Sequence, residues 1–186
     1  MTHKGTRVLE TERLILRKIE ITDAEFMYKN WCADSEVTRY LIWSPHKNVE
    51  ESRAISEEWV KSYARDDFYQ WAIVLKSNFP EPVGTIGAIK TDLDTESVTI
   101  GNCLSRKLWH NGYMTEALAA VLEYFFKEVG VNRAESYHDA RNPHSGAVMR
   151  NRGMKYEGTL RQAAKSNAGV GDICMYSLLA EDIGIR

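Results

Sequence analysis

Several features that would mark a specialised class are scarce or missing. Cysteine occurs three times, as Cys32, Cys103 and Cys174. The number is odd and there is no C-x-x-C pair, which argues against a disulfide framework or a cysteine-based zinc site and fits a reducing compartment. Only four prolines occur, with no Pro/Gly/Ser tract to mark a linker. The longest strongly apolar stretch, residues 117–126, is interrupted by Glu123 and falls short of a bilayer span. The opening residues, MTHKGTRVLETERL, lack the apolar core of a signal peptide. Charge of one sign is missing as well: 24 Lys+Arg against 26 Asp+Glu leave a formal charge of −2. That balance offers no basic field for nucleic acid or an anionic membrane. Neither G-x-x-x-x-G-K-[ST] nor G-x-G-x-x-G with a following ribose-binding acid occurs, so the usual nucleotide loops are disfavoured. There is no H-E-x-x-H, and His3, His46, His110 and His144 lie scattered along the chain, so no metal set is expected. What is present is 186 residues, 44% hydrophobic and 27% charged, the profile of one compact globular domain spanning 1–186. A cytoplasmic location is expected.

The hydrophobic pattern is mixed. Residues 12–19 alternate as a half-buried strand. Thr22 followed by Glu25 has capping-box spacing and predicts a helix over about 23–32. Asn48 followed by Glu51 predicts another, with Ile55, Trp59 and Tyr63 down one face. Residues 70–76, 82–91 and 95–104 are rich in Val, Ile and Thr and read as antiparallel strands. Leu118, Val121, Leu122, Phe125, Phe126 and Val129 recur at helical spacing over 113–129, and Gly130 stands where a left-handed terminator belongs. A short strand follows at 133–138. Asn142-Pro143 opens a helix to about Arg152, with Asn at the cap and Pro at the first position. Segments 154–161 and 172–179 close the chain as a strand pair. The expected fold is mixed α/β (α+β): a mostly antiparallel sheet of about seven strands with helices on both faces.

The most informative segment is Trp109-His110-Asn111-Gly112-Tyr113-Met114-Thr115-Glu116-Ala117, at the mouth of the best-formed helix. The first turn of a helix leaves N–H groups unpaired and carries partial positive charge, and glycine admits a phosphate close to the backbone. On spacing alone, the segment reads equally as a tight turn with a cap.

This run resembles the W-G-K-G-Y-A-T-E-A signature of the GNAT acetyltransferase superfamily, in the branch of the ribosomal-protein alanine N-acetyltransferases (RimJ/RimL type). The resemblance extends over nearly the whole chain. It includes Leu9-Glu10-Thr11-Glu12-Arg13-Leu14-Ile15-Leu16-Arg17, Val83-Gly84-Thr85-Ile86-Gly87, Asn142-Pro143-His144-Ser145, Tyr156-Glu157-Gly158-Thr159-Leu160-Arg161, and Asp172 leading into Met175-Tyr176-Ser177-Leu178-Leu179. It implies a GNAT-like fold and transfer of an acetyl group from acetyl-CoA, as co-substrate and without a metal, to a primary amine of a protein N-terminus or a small molecule. The family's pyrophosphate loop falls on Trp109 to Met114, with backbone N–H groups from His110 to Met114 as donors and the Thr115 hydroxyl beside them. Trp109 stands in place of Gln or Arg, His110 in place of a glycine and Met114 in place of a small residue.

The resemblance also implies that strand 97–104 splays from strand 133–138 and that the pantetheine arm lies in the gap. An amide near Cys103 or Leu104 would then hold the developing oxyanion. Cys103 could also be read as an acyl-carrying nucleophile, but only Arg106 and Lys107 lie near it in sequence to activate it. Typical members place an acidic tyrosine seven residues after the helix-opening asparagine; here that position is Met149. The RimJ/RimL branch has a serine three residues after it, here Ser145, as general acid for the departing thiolate; a helix cap is the alternative. Asn142 is expected to cap the helix and bond the pantetheine.

His138 is the candidate base, because imidazole titrates near neutrality, with a hydrogen-bonded core histidine as the alternative. Glu96, Glu135 and Glu157 are weaker candidates. The glutamate that some relatives carry nineteen residues after the serine is Ala164 here, which leaves solvent as another proton acceptor. Trp31, Tyr40 and Trp43 are candidates for the acceptor pocket or for packing between helices and sheet. The acidic turn 92–96 reads as a solvated hairpin. The resemblance leaves a homodimer open. Met149 and Ala164 keep a second class in play, a coenzyme A-binding sensor or interaction module that has lost catalysis.

Overall fold

The computed structural model describes residues 1–185. Eight strands form one sheet: β1 (Leu9–Glu10), β2 (Leu14–Arg17), β3 (Gln70–Leu75), β4 (Pro82–Asp92), β5 (Ser97–Leu104), β6 (Arg133–Asp139), β7 (Lys155–Ser166) and β8 (Gly169–Leu179). Their order is β1-β2-β3-β4-β5-β6-β8-β7. Every neighbouring pair is antiparallel except β5 and β6. The strand beyond the seven expected is the two-residue β1, too short for a periodic signal. The β7–β8 hairpin runs to a turn at Asn167-Ala168, farther than expected, because hydrogen bonding continues past an irregularity between Leu160 and Ala164.

Five α-helices cover the two faces: α1 (Ala24–Met27), α2 (Ser35–Thr38), α3 (Val49–Ser62), α4 (Tyr113–Tyr124) and α5 (Pro143–Arg150). Helix α4 packs Ala117, Leu118, Val121 and Leu122 onto Leu16, Trp71, Ile86, Val98 and Ile100. It continues through a wider-pitched turn, Phe125–Val129, to Gly130 at φ 77°. Gly130 thus adopts the left-handed terminator its position predicts. The opposite face carries α1 to α3, which pack Met27, Trp31, Ile55 and Trp59 around Ala72 and Val74.

Asn48 caps α3 as expected, its side chain accepting from the Glu51 amide at 3.1 Å. Thr22 caps nothing. The Glu20 amide donates to Asp23 Oδ2 at 2.8 Å, and Asp23 is held by Arg17 at 2.7 and 2.8 Å. The buried ion pair moves the helix start two residues toward the N-terminus, and the single helix expected over 23–32 becomes 3-10, α and wide-pitched turns in succession. Helix α2, one turn capped by Asp34 accepting from the Glu36 amide at 2.9 Å, is too short to announce itself by periodicity. No helix among the described residues is long and apolar enough to cross a membrane.

Candidate active site

Strands β5 and β6 pair only over Ser97–Thr99 and Arg133–Glu135; beyond Thr99 they diverge. Three bonds fix which groups face the gap. The Ser105 amide donates to Val83 O on β4 at 2.8 Å, Ser136 Oγ to Ile100 O at 2.8 Å and Trp109 Nε1 to Leu104 O at 2.9 Å. Strand alternation therefore turns the backbone N–H groups of Ile100, Asn102 and Leu104 into the gap, and that of Cys103 toward β4. Of the two amides expected to meet a thioester carbonyl, that of Leu104 faces the gap. That of Cys103 does not, and burial pushes its thiol up to about 12, which argues against a nucleophilic role.

The loop before α4 lies at the end of β5. His110 has φ 63° and Gly112 φ 77°, and no side chain caps the helix. The N–H groups of His110, Asn111, Gly112, Tyr113, Met114 and Thr115 make no hydrogen bond among the described residues. They form a concentrated set of donors at the positive end of α4. A Cβ on Gly112 would meet only Arg13 Nη2, at 3.6 Å, so the backbone there is open to a ligand. Met114 is buried against the core and can offer only its amide.

The sequence alone did not expose what steadies this loop. Glu116, in the first turn of α4, accepts from Thr11 Oγ1 at 2.5 Å, the Arg13 amide at 2.8 Å and Arg13 Nε at 2.6 Å. Burial opposes ionisation of Glu116, but these bonds hold its carboxyl below the usual carboxylate range. The guanidinium of Arg13 also donates to Asn111 O at 3.1 Å and covers the Tyr113 ring at 4.3 Å. Both residues sit in motifs that carry the family resemblance, which is the signal that could have paired them.

Across the gap, α5 begins at Asn142. Its φ of −112° and ψ of 70° leave the side chain without a cap bond, which corrects the expected helix-capping role. Asn142 Nδ2 instead donates to Ser145 Oγ at 3.1 Å. Because Oγ is accepting, the Ser145 proton is free to donate elsewhere. Met149, at the position where a tyrosine acid was sought, is part of the core. His110 and His144, scattered in sequence, meet edge to face with ring centroids 4.7 Å apart.

His138 does not have the geometry of a base. Its Nδ1 bonds Asp139 O at 2.8 Å, its ring stacks on Tyr176 at 5.7 Å, and Nε2 is buried without a partner among the described residues. A Cβ on Gly146 of α5 would lie 2.6 Å from Nε2, so this nitrogen faces the helix. The carboxylates are engaged too. Glu135 accepts from Thr99 Oγ1 at 2.8 Å and Arg133 Nε at 3.1 Å. Glu157 is held at about 2 by Arg133 and Ser177. Glu96 receives the Met1 amine.

Of the acceptor-pocket candidates, Trp31 is 1% exposed in the core beneath α1 and cannot contact a substrate. Tyr40 and Trp43 are half-buried on the loop after α2. Tyr40 has the Arg39 and Arg141 guanidinium groups at 5.5 and 5.8 Å.

Comparison with known proteins identifies this arrangement of a splayed parallel strand pair beside an uncapped helix N-terminus. Residues 13–155 match the family model described as an acetyltransferase (GNAT) domain. The chain is 30% identical over 174 residues to an uncharacterised N-acetyltransferase, p20, of Bacillus licheniformis, covering 94% of this chain and 97% of that protein. Among solved structures, a GNAT-family acetyltransferase from Bacillus anthracis superposes with a TM-score of 0.82 at 27% identity, covering 94% and 99% of the two chains. RimL, an alpha-N-protein acetyltransferase of ribosomal L7/L12 solved with coenzyme A, shares the fold with a TM-score of 0.84 at 19% identity, covering 95% and 99%. The chain belongs to the GNAT acetyltransferase family and is an acyltransferase of the N-acetyltransferase type.

Proposed function

We propose that this protein transfers the acetyl group of acetyl-CoA directly to a primary amine, in a ternary complex at the open end of the β5–β6 gap, with the cytoplasm as its setting. The observation that carries the reading is the alignment of three elements along one cleft: the unpaired amides of residues 110–115, the gap-facing amide of Leu104, and the Ser145 hydroxyl held by Asn142 at 3.1 Å. The run of amides fits a pyrophosphate, with the Thr115 hydroxyl beside it. Trp109 ties this cradle to the end of β5 through Leu104 O.

When bound, acetyl-CoA supplies an acetyl thioester. The Leu104 N–H stabilises negative charge developing on the carbonyl oxygen. Ser145 Oγ donates its proton to the departing sulfur and takes one from solvent in the same step, so that the oxygen is a hydroxyl again when the free thiol leaves, while the Asn142 amide donating to that oxygen at 3.1 Å holds it in place. With Glu135 and Glu157 paired and His138 turned into α5, the proton of the attacking amine goes to solvent. RimL, a protein of the same fold solved with coenzyme A and acting on a protein amino terminus, supports both the cofactor and this acceptor chemistry.

Ser145→Ala tests the reading. Removing the acid should lower kcat at saturating acetyl-CoA and amine by about 10²-fold while leaving coenzyme A affinity nearly intact. Since Ser145 accepts from a side chain and caps nothing, its loss should cost less than about 1 kcal/mol of stability. A kcat within about threefold of wild type, corrected for the folded fraction, would end the general-acid role.

A further inference from the structure

The fork between β5 and β6 opens at a defined step, and one buried side chain stands at it. The ladder closes on the pair Thr99–Glu135. Past that pair each strand stays engaged on its outer side: β5 with β4 as far as Leu104–Gly84, and β6 with β8 as far as Asp139–Ile173. Only the inner edges part. An irregularity in β4 leaves Ile89 unpaired opposite Thr99 and Ile100, and such a bulge adds twist to the strands beside it. Twist bends β5, but it does not by itself choose the residue at which pairing stops.

Ser136 marks that residue. It is 2% exposed, and its Oγ donates to Ile100 O at 2.8 Å. In a parallel ladder the next step would bring a backbone amide of β6 to this carbonyl. That amide belongs to Tyr137. The Ala140 amide donates to Asp172 O on β8 at 2.9 Å, so alternation turns the Tyr137 amide, three residues earlier, toward β5. The register ends before this step. The Ile100 carbonyl, buried and in need of a partner, has a hydroxyl in place of the backbone amide. On the opposite face of the sheet, Thr99 Oγ1 donates to Glu135 Oε1 at 2.8 Å and locks the last pair.

We propose that Ser136 is a positioning residue for the cofactor: its hydroxyl occupies the Ile100 carbonyl in place of the Tyr137 amide, which holds the fork one ladder step farther open and leaves that amide to a ligand. The ligand is the pantetheine arm, whose amide and thioester carbonyls are acceptors for an N–H facing the gap. This rests on the cofactor cleft of the acetyl-transfer reading given above. Without the hydroxyl, the Ile100 carbonyl takes the Tyr137 amide, and the cofactor must break that bond before it enters. A fork zipped one step further in about nine molecules of ten lowers the apparent affinity about tenfold.

The test compares wild type, Ser136→Ala and Ser136→Thr as full chains, by calorimetry with coenzyme A, steady-state kinetics and residue-resolved amide exchange. In Ser136→Ala the Kd for coenzyme A and the KM for acetyl-CoA should rise about tenfold. Saturating acetyl-CoA opens the fork, so kcat and the amine KM should stay within about twofold of wild type. Exchange of the Tyr137 amide in the free protein should slow about tenfold, whereas simple destabilisation would speed it. The opposite sign separates a zipped fork from a weakened fold. Threonine keeps the hydroxyl and should return affinity and exchange to wild-type values. A folded alanine variant with Tyr137 exchange unchanged or faster, or with coenzyme A affinity within about twofold of wild type, would overturn the proposal. So would a folded threonine variant that behaves like alanine. Wild type that binds coenzyme A but acetylates no amine would remove the transfer reading alone, with calorimetry and exchange still deciding the role of Ser136. Wild type that binds no coenzyme A would remove both.

Discussion

Gly112 is the residue at which local geometry and cofactor binding are most directly coupled. At φ 77° any L side chain is strained, by about 1–2 kcal/mol for a simple Cβ and more for a β-branched residue. Protein atoms do not add to this, because a Cβ would meet only Arg13 Nη2 at 3.6 Å. Gly112→Ala should therefore cost about 1 kcal/mol of stability and Gly112→Val about 2 kcal/mol. In the valine variant, relaxation of the strain turns the amides of residues 110–115 out of convergence, and the added methyl groups occupy space a phosphate must approach. Coenzyme A affinity should fall at least tenfold, about 1.4 kcal/mol, with alanine intermediate. Calorimetry on protein shown to be folded by a parallel denaturation curve reads both quantities. A folded Gly112→Val protein that binds coenzyme A as tightly as wild type would remove the cradle from the account.

Other consequences concern stability. Gly146→Ala brings a Cβ to 2.6 Å from His138 Nε2 and 3.1 Å from Arg150 Nη1. The overpacking, about 1–3 kcal/mol, should outweigh the roughly 1 kcal/mol that alanine gains over glycine in a helix. In a His138→Ala background the same change should become stabilising; urea denaturation showing stabilisation in the wild-type background would contradict the packing described for His138. The Glu157 carboxyl, held at about 2 by Arg133 and Ser177, contributes stability that is complete above the unfolded carboxylate range. That contribution is lost as pH falls from about 4.5 toward 2. With the Glu157 side chain 40% exposed, solvent reduces it to about 1 kcal/mol. Glu157→Gln should flatten this part of the acid limb, and an unchanged pH profile would show the pair to be idle.

Much of the scaffold was legible because it is written in local periodicity. The apolar repeat of α4, its terminator Gly130 and the Val/Ile-rich strands each depend on residues a few positions apart. What escaped depends on distant parts of the chain meeting. Trp31 reads as either a pocket aromatic or a packing residue until α1 is laid over Ala72 and Val74, where it is core. His138 has the right chemistry for a base, and only the approach of Gly146 shows that its free nitrogen faces a helix. Thr22 lost its capping role to the Glu20–Asp23 box because Arg17, on the preceding strand, fixes the Asp23 carboxylate. His110 meets His144 only when the starts of α4 and α5 are set side by side. Asn167 looks like any polar hairpin turn, and nothing near it in sequence announces partners at the end of α2 and in the loop beyond it. The cleft itself followed from ordered motifs; which amide faces the gap needed the strand alternation that separates Leu104 from Cys103.

The central claim, acetyl transfer to an amine at the β5–β6 gap, is tested most directly by following release of the free thiol of coenzyme A from acetyl-CoA by the wild-type chain across a panel of primary amines. The account predicts amine-dependent, saturable release, with stoichiometric acetyl-amine product and negligible release without an acceptor. Tight coenzyme A binding with no amine-dependent release for any acceptor class would contradict it and mark the chain as a coenzyme A-binding module.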